Sequence, residues 1–332
     1  MLDGKTILIT GGTGSFGRNF VKHILANYNP KKVIVFSRDE LKQSQMRHKL
    51  SDARVRYFIG DIRDLSRLQR AFHGVDVIIH AAALKQIDAL EYNPFEAINT
   101  NILGTKNVIE AAIDQRVKKV VFVSTDKAAQ PVNLYGATKL CAEKLIIDAN
   151  TYSPTTTHFS CVRYGNVLGS RGSIVEVLLR GKKDGTVQSI KITDERMTRF
   201  WITLDQAFAL VMFALEHMAG GEIFVPRIPS MKIVDLFDAI VPELKREIMG
   251  IRPGEKLHEV LLTSDEARHA YGLEEYFVIL PESREIFDIE ERFKKFIGQG
   301  QALPNDFSFA SDKNEEWITK ESLKTIIDSL DI

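Results

Sequence analysis

The stretch STDKAAQPVNLYGATK, Ser124–Lys139, concentrates side chains that can carry protons. Tyr135 and Lys139 are four residues apart within it, so they would lie on one face of a helix. Two unit charges about 4 Å apart interact by roughly 4 kcal/mol at an effective dielectric constant near 20, which corresponds to about three pKa units. The spacing therefore predicts that the Lys139 ammonium lowers the pKa of Tyr135, so that the phenol can accept a proton from a substrate hydroxyl.

The neighbouring Asp126–Lys127 pair follows the apolar run Val120–Val123 and indicates further proton chemistry. An ordinary ion pair at a strand end remains an alternative interpretation. If the pair is buried, moving one proton from the ammonium to the carboxylate gives a neutral acid and a neutral amine, which burial favours. We expect the two groups to titrate as a unit, with positive charge from Lys139 lowering the pKa of Lys127 further. Lys127 would then act as a base and Asp126 as an acid.

The first half of the chain predicts a scaffold of alternating strands and helices for these groups. Continuous apolar runs rather than alternating ones are typical of a parallel sheet that is covered on both faces. Amphipathic segments of helical length, such as Ala97–Gln115 and Tyr135–Asn150, separate the runs. The predicted strands are Thr6–Thr10, Lys32–Ser37, Val55–Gly60, Val75–Ala81, Lys119–Ser124 and His158–Tyr164. The pattern predicts an α/β fold with a doubly wound, Rossmann-like parallel sheet.

After about residue 165 the alternation of strands and helices breaks into shorter pieces, and this change predicts how the chain divides into domains. We expect residues 1–165 to form a cofactor-binding domain, with a later part near 190–225 packing back on it. Residues 166–290 are assigned mainly to a smaller substrate lobe, and residues 291–332 to a C-terminal tail. The tail ends in a predicted helix with apolar residues on one face: Leu323, Ile326, Ile327 and Leu330.

A glycine-rich turn, TGGTGSFG, follows the first predicted strand and opens the first predicted helix. Gly11 permits a tight turn, Gly14 lets the backbone approach a pyrophosphate, and Gly17 allows the helix to pack closely. The N-terminus of that helix supplies N–H groups for the anion. The residues between the glycines are expected to contact the same dinucleotide: Thr13, Ser15 and Phe16.

The end of the second predicted strand, VFSRDELK, bears on which dinucleotide is bound. Sites that prefer NAD place an acid there for the ribose 2′-hydroxyl. Ser37 and Arg38 occupy that stretch and Lys42 follows one turn later, and a hydroxyl with two cations suits a 2′-phosphate. Asp39 lies close by and would suit NAD instead. We expect NADP.

The GxxGxxG spacing, together with YxxxK after the fifth predicted strand, resembles the extended short-chain dehydrogenase/reductase family. The resemblance implies that Tyr135 is a catalytic base and Lys139 its modulator. Plain reductases and epimerases of the family need a serine or threonine at the position of Thr125 and little else, so the added Asp126–Lys127 pair implies further proton transfer. The resemblance to this family also implies adenine or cofactor contacts from the GDIRD and HAAA segments: Asp61, Ile62 and Ala81. His80 in HAAA is interpreted as a core residue.

Nine motifs together resemble the family of inverting UDP-N-acetylglucosamine 4,6-dehydratases. They are TGGTGSFG, FSRDELKQS, FIGDIRDL, HAAALKQ, EYNPFEAINTN, STDKAAQPVNLYGATK, RYGNVLGSRGS, RMTRFWIT and IRPGEKLHE. The resemblance implies oxidation at C4, loss of water across C5 and C6, and return of the hydride to C6. It implies an inverted C5, so that the product is UDP-2-acetamido-2,6-dideoxy-β-L-arabino-hex-4-ulose, and a place at the first step of pseudaminic acid biosynthesis. Retaining dehydratases that act on dTDP-glucose carry Thr-Asp-Glu where this chain carries Thr-Asp-Lys.

The same resemblance implies a set of ligand contacts. Implied cofactor contacts are Lys85, Asn99, Thr100 and Val167. Implied substrate contacts are Lys85, Asn166, Arg171, Arg199, Arg252 and Glu255. Arg199 would bind the pyrophosphate, and Arg252 with Glu255 would hold uridine, because a diphosphate suits guanidinium groups and a ribose diol suits a carboxylate. Asn314 in the tail is expected to close over the substrate.

The composition limits the partners. Basic and acidic residues number 44 each, which indicates no nucleic acid or other polyanion as partner. The two cysteines, Cys141 and Cys161, suit a reduced cytoplasmic protein without disulfides. The N-terminus has no signal-peptide pattern, and no run approaches the roughly 20 apolar residues of a membrane span. We expect no metal, and the resemblance implies a soluble homo-oligomer that binds UDP-N-acetylglucosamine.

Three alternatives stay open at this point. A retaining UDP-N-acetylglucosamine 4,6-dehydratase would share the Asp126–Lys127 pair, whereas a UDP-sugar 4-epimerase would not need it. An NADP-sensing scaffold without catalysis could lose either Tyr135 or Lys139, and both are present.

Overall fold

Strands run through the whole chain, of which the computed structural model describes residues 1–153, 155–170, 173–185, 189–282 and 287–328. The strands are β1 (Thr6–Thr10), β2 (Lys32–Ser37), β3 (Val55–Ile59), β4 (Val77–His80), β5 (Lys119–Val123), β6 (His158–Val162), β7 (Asn166–Val167), β8 (Ser189–Ile192), β9 (Thr198–Ile202), β10 (Ile223–Pro226), β11 (Ser230–Lys232), β12 (Lys245–Ile248), β13 (Val260–Leu262), β14 (Ala270–Gly272), β15 (Tyr276–Ile279), β16 (Gln301–Ala302) and β17 (Phe309–Ala310).

The main sheet of the described residues has the order β16-β14-β15-β10-β6-β5-β4-β1-β2-β3. The strands from β3 across to β10 all pair in parallel. Every residue of β1 and of β4 is buried, as their continuous apolar runs predict. The strand order reverses between β1 and β4, where open α/β sheets bind ligands beyond the carboxyl ends of the strands. The predicted doubly wound parallel sheet is confirmed.

The other side of this sheet departs from the expected division of the chain. β15 pairs antiparallel with β10, β14 with β15, and β16 with β14. These strands lie in the parts assigned to a separate lobe and tail, yet they extend the main sheet. The edge of β10 explains the difference, because unpaired strand-edge N–H and C=O groups need partners.

Helices connect most of these strands. They are α1 (Ser15–Asn27), α2 (Glu40–Lys49), α3 (Leu65–Phe72), α4 (Ile87–Tyr92), α5 (Pro94–Ala97), α6 (Gly104–Asp114), α7 (Leu134–Tyr152), α8 (Ile174–Asp184), α9 (Leu204–His217), α10 (Ile233–Ile240), α11 (Ser264–Ala267), α12 (Ile289–Arg292), α13 (Lys294–Gln299) and α14 (Lys320–Asp328). A π-helix, Ile98–Leu103, runs into α6, and a 3₁₀ turn, Asp126–Ala128, precedes α7. None of the described helices combines the length and the hydrophobicity that crossing a bilayer requires.

A second apolar cluster lies beside the main core, where β7 and β11 flank β9 and β8 pairs with β12. Leu323 of α14 is fully buried in this cluster, and Ile326 and Ile327 pack against it. The terminal helix therefore docks through its predicted apolar face, of which Leu330 lies outside the described residues.

A buried ion cluster fixes α7 to residues 252–266, which we call the closing segment. Arg163, which follows β6, is 1% exposed and donates to the Glu143 carboxylate of α7 at 2.6 Å. It also donates to Glu266 at 2.8 Å and to the carbonyl oxygen of Leu261 at 3.0 Å. Because its partners come from both sides, the guanidinium holds the closing segment against α7.

Candidate active site

The glycine turn between β1 and α1 has the shape that a dinucleotide requires. Gly11 has a φ of +66°, and a Cβ there would lie 2.9 Å from the backbone of Ala82. A Cβ at Gly17 would lie 2.6 Å from the Cα of Gly12, so α1 packs directly on the turn. Gly14 precedes the first turn of α1 in an extended conformation, and no side chain caps that helix end. The cradle is small, and it lies at the positive end of a helix dipole, which fits a pyrophosphate.

The remaining residues of the turn and the end of β4 lie around this cradle. Phe16 packs on Phe20 with ring centroids 5.3 Å apart. The N–H of Ala81 donates to the carbonyl oxygen of Thr10 at 3.3 Å. His80 is buried as expected, and its ring nitrogens contact the hydroxyls of Thr10 and Thr105.

The end of β2 presents two half-exposed cations. The Ser37 hydroxyl is buried and accepts hydrogen bonds from the Thr13 hydroxyl at 3.1 Å and from Gln43 at 3.2 Å. Arg38 pairs with Asp61 at 3.4 Å, and Lys42 pairs with Asp39 at 2.6 Å. The cations thus remain at the surface, whereas Ser37 is held inward by Gln43, a residue that the sequence motifs did not single out.

The predicted adenine contacts follow β3. Asp61 accepts a hydrogen bond from Arg63 at 2.7 Å. Burial raises the pKa of this carboxyl, but the hydrogen bonds from Arg63 outweigh it, so the pKa of Asp61 is lowered. Ile62 is buried against the start of α6, where a Cβ at Gly104 would lie 2.7 Å from its side chain.

The π-helix carries Asn99 and Thr100, two of the implied cofactor contacts. Asn99 is half-buried, whereas the buried Thr100 hydroxyl has no hydrogen-bond partner among the described residues. A buried hydroxyl normally has a partner, so this atom fits a contact with a bound group. π-Helical segments of this kind are frequent at functional sites.

Asn101, which the sequence analysis missed, fixes the loop after β4 to α7. Its side-chain oxygen accepts from the N–H of Leu84, and its amide donates to the carbonyl oxygen of Leu84, both at 2.9 Å. The amide also donates to the Thr138 hydroxyl at 3.0 Å. Lys85 is next in this loop, and burial followed by repulsion from Lys127 lowers its pKa.

The catalytic turn, Thr125–Ala128, packs on the start of α7. The side chain of Asn133 caps α7 by accepting from the N–H of Gly136 at 2.8 Å. A Cβ at Gly136 would clash with the carbonyl oxygen of Lys127, so only glycine allows this approach. The Thr125 hydroxyl donates to Asp126 Oδ1 at 2.9 Å. A hydrogen bond also joins the side chains of Thr125 and Tyr135, so Thr125, Asp126 and Tyr135 lie together.

The protonation of the Tyr135–Lys139 pair differs from the prediction. Burial raises the pKa of Tyr135 to about 12, although Lys127 and a hydrogen bond with Thr125 oppose this. Burial also lowers the pKa of Lys139 to about 7, against the effect of Glu143. Lys139 Nζ donates to the carbonyl oxygen of Val123 at 2.7 Å. The expected lowering of the Tyr135 pKa by a Lys139 ammonium is therefore wrong, because burial disfavours the charged form of each group.

The Asp126–Lys127 pair also differs from the prediction. Asp126 is fully buried, and Lys127 Nζ lies 2.9 Å from its Oδ1. Burial lowers the pKa of Lys127, but the carboxylates of Asp126 and Glu259 outweigh it and hold the pKa above its ordinary value. The expected lowering of the Lys127 pKa is wrong because Asp126 and then Glu259, 3.5 Å from Nζ, stabilise the ammonium. Asp126 Oδ2 is buried with no hydrogen-bond partner among the described residues, so it can accept a contact from a ligand.

A cleft of about 150 Å³ opens at Lys127, between the catalytic turn and the closing segment. Asn166, Arg199 and Glu255, three of the implied substrate contacts, line it together with Lys127, and their contact with a substrate stays a prediction. Asn166 Oδ1 lies 3.5 Å from Lys127 Nζ. Arg252 is exposed and does not belong to this lining, and Arg171 lies outside the described residues.

Arg199 already has protein partners in this cleft. Its guanidinium donates to the carbonyl oxygens of Thr198 at 2.7 Å, Lys256 at 3.0 Å and Leu257 at 3.1 Å. Its Nε lies 3.7 Å from Glu259. Arg199 therefore fixes the closing segment, and its role toward a pyrophosphate stays a prediction.

The closing segment is attached to residues just after the catalytic turn by contacts that the motifs did not predict. Lys256 Nζ donates to the carbonyl oxygen of Ala129 at 2.6 Å. Asn133 donates to the carbonyl oxygen of Gly254 at 2.8 Å. In the tail, the amide of Asn314 binds the carbonyl oxygen of Ile228 at 2.8 Å. Asn314 thus anchors the tail, and its expected closure over a substrate has no support in these contacts.

Comparison with known proteins gives one family over most of the chain. The model of the family described as polysaccharide biosynthesis protein matches residues 7–281. The "UDP-N-acetylglucosamine 4,6-dehydratase (inverting)" of Campylobacter jejuni is 49% identical over 98% of both chains. The X-ray structure of Pen from Bacillus thuringiensis superimposes with a TM-score of 0.87 and 39% identity over 99% of both chains.

Another relative carries a different name. The "UDP-glucose 4-epimerase" of Rickettsia conorii is 40% identical over 98% of this chain and 96% of its own.

Proposed function

The chain belongs to the polysaccharide biosynthesis protein family of extended short-chain dehydrogenase/reductases, and from this we propose that it is a C5-inverting UDP-N-acetylglucosamine 4,6-dehydratase. The observation that carries the proposal is the Asp126–Lys127 pair at the cleft beside Tyr135, in which the carboxylate is buried and the amine faces the cleft. An acid and an amine in contact can remove one proton while delivering another, which elimination of water requires. The Campylobacter jejuni relative, whose name states this activity, supports the assignment.

The cofactor of the proposed enzyme is NADP. The Gly11–Gly17 cradle would hold its pyrophosphate, and Arg38 and Lys42 would face the 2′-phosphate. The hydroxyl of Thr100, which has no hydrogen-bond partner in the described part of the chain, offers a further contact. When bound, the nicotinamide would take a hydride from C4 of the sugar and give it back at C6, so the enzyme is a lyase without net redox change.

The residues of the site account for each proton in the reaction. Tyr135, which must first lose its own proton because burial raises its pKa to about 12, accepts the proton of the C4 hydroxyl as that carbon becomes a ketone. In the resting ion pair, Lys127 carries the proton that Asp126 needs, and its transfer over 2.9 Å gives an amine and a carboxylic acid. Lys127 then accepts the C5 proton, which the C4 ketone has acidified, while Asp126 protonates the C6 hydroxyl, which leaves as water.

The last proton decides the configuration at C5. After elimination, the Asp126–Lys127 pair is back in its ion-pair form, and Tyr135 still holds the proton from the C4 hydroxyl. Return of that proton to C5 from the face opposite Lys127 gives the L-arabino 4-keto sugar, and all protons balance. The product would enter pseudaminic acid biosynthesis and flagellin glycosylation, and the enzyme would work as a cytoplasmic homo-oligomer.

A UDP-sugar 4-epimerase is the second candidate, because the Rickettsia conorii relative bears that name. An epimerase returns the hydride to C4 and has no use for an acid at C6. The fully buried Asp126 beside Lys127 favours the dehydratase.

Incubation with UDP-N-acetylglucosamine and NADP in D₂O, followed by NMR of the product, tests the proposal. We expect a 4-keto-6-deoxy sugar with deuterium at C5 in the L-arabino configuration and no accumulation of NADPH. Deuterium at C5 with retained configuration would leave a dehydratase but remove the inversion. A C4 epimer without loss of water would identify an epimerase.

Substitutions at the pair separate binding from elimination. Lys127→Met and Asp126→Asn should bind NADP and UDP-N-acetylglucosamine as the wild type does but form no 4-keto-6-deoxy sugar. Near-normal turnover by Lys127→Met would contradict the mechanism and leave Asp126 and Lys127 as an ordinary ion pair.

A further inference from the structure

Glu259 is a buried carboxylate at the centre of the cleft's positive charge. It precedes β13, is 3% exposed and belongs to the lining of the cleft. Its carboxylate lies 3.5 Å from Lys127, 3.6 Å from Lys256 and 3.7 Å from Arg199. Burial of a carboxylate costs free energy unless the charge is paired, and the Glu259 carboxylate faces three cations at once.

The backbone of Glu259 is fixed from the opposite side. Its N–H donates to the Ser311 hydroxyl at 2.9 Å, and its carbonyl oxygen accepts from the Ser311 N–H at 2.8 Å. The Ser311 hydroxyl lies 2.6 Å from that of Thr198 at the start of β9. The carboxylate is therefore presented to Lys127 by a rigid frame that includes the tail.

Lys127 stands in a crowded electrostatic environment. The charged and titratable groups that face it are Asp126 of its own turn, Tyr135 of α7, Lys85 of the loop after β4, Arg199 of β9, and Lys256 and Glu259 of the closing segment. Three of these groups are cations that repel an ammonium, and Asp126 must give up its negative charge during the proposed reaction. Glu259 is the carboxylate that takes no part in the proposed proton transfers.

We propose that Glu259 is a positioning residue of the reaction: it holds the Lys127 amine between the catalytic turn and the closing segment, and it is the permanent counter-charge for the ammonium that forms when Lys127 takes the C5 proton. The proposal rests on the proposed function for its meaning in turnover. The coupling between the two side chains does not depend on any substrate.

Titration of Lys127 tests the coupling directly. In protein labelled with ¹³C at the lysine ε-carbons, the Lys127 signal can be assigned by its loss in Lys127→Met. Glu259→Gln keeps the size of the side chain and removes its charge, so we expect the pKa of Lys127 to fall by at least about one unit. Glu110→Gln, on the exposed face of α6, should leave the titration unchanged. An unchanged pKa in Glu259→Gln would overturn the proposal.

Turnover tests the role in the reaction. The Asp126–Lys127 pair works with one shared proton, so activity is lost at alkaline pH when the pair gives that proton up. Without the negative charge of Glu259 this loss should begin at lower pH, with kcat reduced by roughly tenfold or more and KM changed by less than about threefold. A purely structural residue would lower activity at all pH values without moving the alkaline limb, and that result would also overturn the proposal.

A second variant tests the proposal if Glu259→Gln does not fold. Glu259→Asp keeps the charge but shortens the reach, so the Lys127 pKa should fall in the same direction by less. A Lys127 pKa in Glu259→Asp that is equal to or higher than that in the wild type would count against the proposal. If the Lys127 titration shifts as expected while the wild type forms no 4-keto-6-deoxy sugar, the coupling stands and the proposed function fails.

Discussion

At the scale of single residues, burial decides the proton distribution in the site. Attraction between Tyr135 and Lys139 is expected to lower the pKa of the phenol, yet desolvation raises it to about 12. The same effect brings the pKa of Lys139 to about 7, even though Glu143 opposes it. Lys127 shows the reverse outcome because two carboxylates contact it. The number of charged partners, rather than burial alone, separates these two lysines.

Lys139 should make the stability of the fold depend on pH. Its pKa is about 7 in the folded chain and about 10.5 when unfolded, so between these values the unfolded state binds more protons. Stability should therefore rise with pH across this window, by at most about 1.4 kcal/mol per pH unit. Lys139→Met lacks this contribution, so urea unfolding at several pH values should show the stability of the wild type gaining on the variant from pH 7 to 10. A constant difference would contradict the assigned pKa.

Arg38 should determine the choice of dinucleotide. Arg38→Ala removes a half-exposed cation at the end of β2, and loss of a charged contact to a 2′-phosphate costs about 1.5–3 kcal/mol, or roughly 10- to 100-fold in Kd. NADP binding should weaken by that factor and NAD binding much less, as measured by calorimetry. Arg70→Ala, on the exposed side of α3, is the matched control. Equal losses for both dinucleotides would remove the NADP assignment.

At the scale of elements, the site depends on one close approach between the catalytic turn and α7. Gly136 touches the carbonyl oxygen of Lys127, and Asn133 caps the helix beside it. The first turn of α7 therefore sets where Tyr135 lies relative to Asp126. A shift of either element would separate the groups that must act together.

Gly136→Ala should disrupt this contact. The new methyl group cannot be accommodated beside the Lys127 carbonyl oxygen, so we expect a lower melting temperature and a loss of turnover of 100-fold or more, roughly the effect of misplacing a reacting group by about 1 Å. Gly298→Ala is the control, because this residue lies in α13 with no other atom within 4 Å of the added Cβ. That variant should be as stable as the wild type, or more so. Equal melting temperatures for the two variants would contradict the packing described.

Local pattern predicted the elements of the first half to within one or two residues. The strand at Thr6–Thr10 and the one at Lys32–Ser37 agree at both ends, because a buried parallel strand must be apolar throughout. The contacts of Glu259, Lys256 and Asn101, which stand in two of the motifs, could not be predicted in this way, because each acts on a partner distant in sequence. The pKa directions expected for Tyr135 and Lys127 were wrong for the same reason. Burial and contacts with carboxylates distant in sequence arise only when the chain folds.

At the scale of the whole molecule, later segments complete what the first half begins. β10, β15, β14 and β16 widen the main sheet, and α14 covers the second apolar cluster. The tail also supplies Ser311, which binds the backbone of Glu259. The C-terminal residues are thereby linked to the cleft, although they contribute none of the motifs.

Removal of the terminal helix should destabilise the chain. Deletion from Thr319 exposes the buried face around Leu323, and we expect a lower melting temperature or a smaller oligomer by light scattering. Leu323→Ala alone should cost about 2–5 kcal/mol in the free energy of unfolding, as is usual for a buried leucine. Lys324→Ala, one position along on the exposed side, should cost little. An unchanged melting temperature and mass after the deletion would show that the helix is dispensable.

The Arg163 cluster governs how a ligand could enter and leave. If the closing segment moved away from α7, the buried guanidinium of Arg163 would lose its contact with Glu143 or with Glu266. Breaking such a buried ion pair costs roughly 3–5 kcal/mol. A hinge motion that separates α7 from the whole closing segment is therefore disfavoured. The short loop 252–256 is the easier gate, because hydrogen bonds attach it there rather than a buried guanidinium: Asn133 donates to Gly254, Lys256 donates to Ala129, and Arg199 donates to Lys256. Release of the nucleotide product, rather than the chemistry, would then be timed by that loop while the rest of the molecule stays rigid.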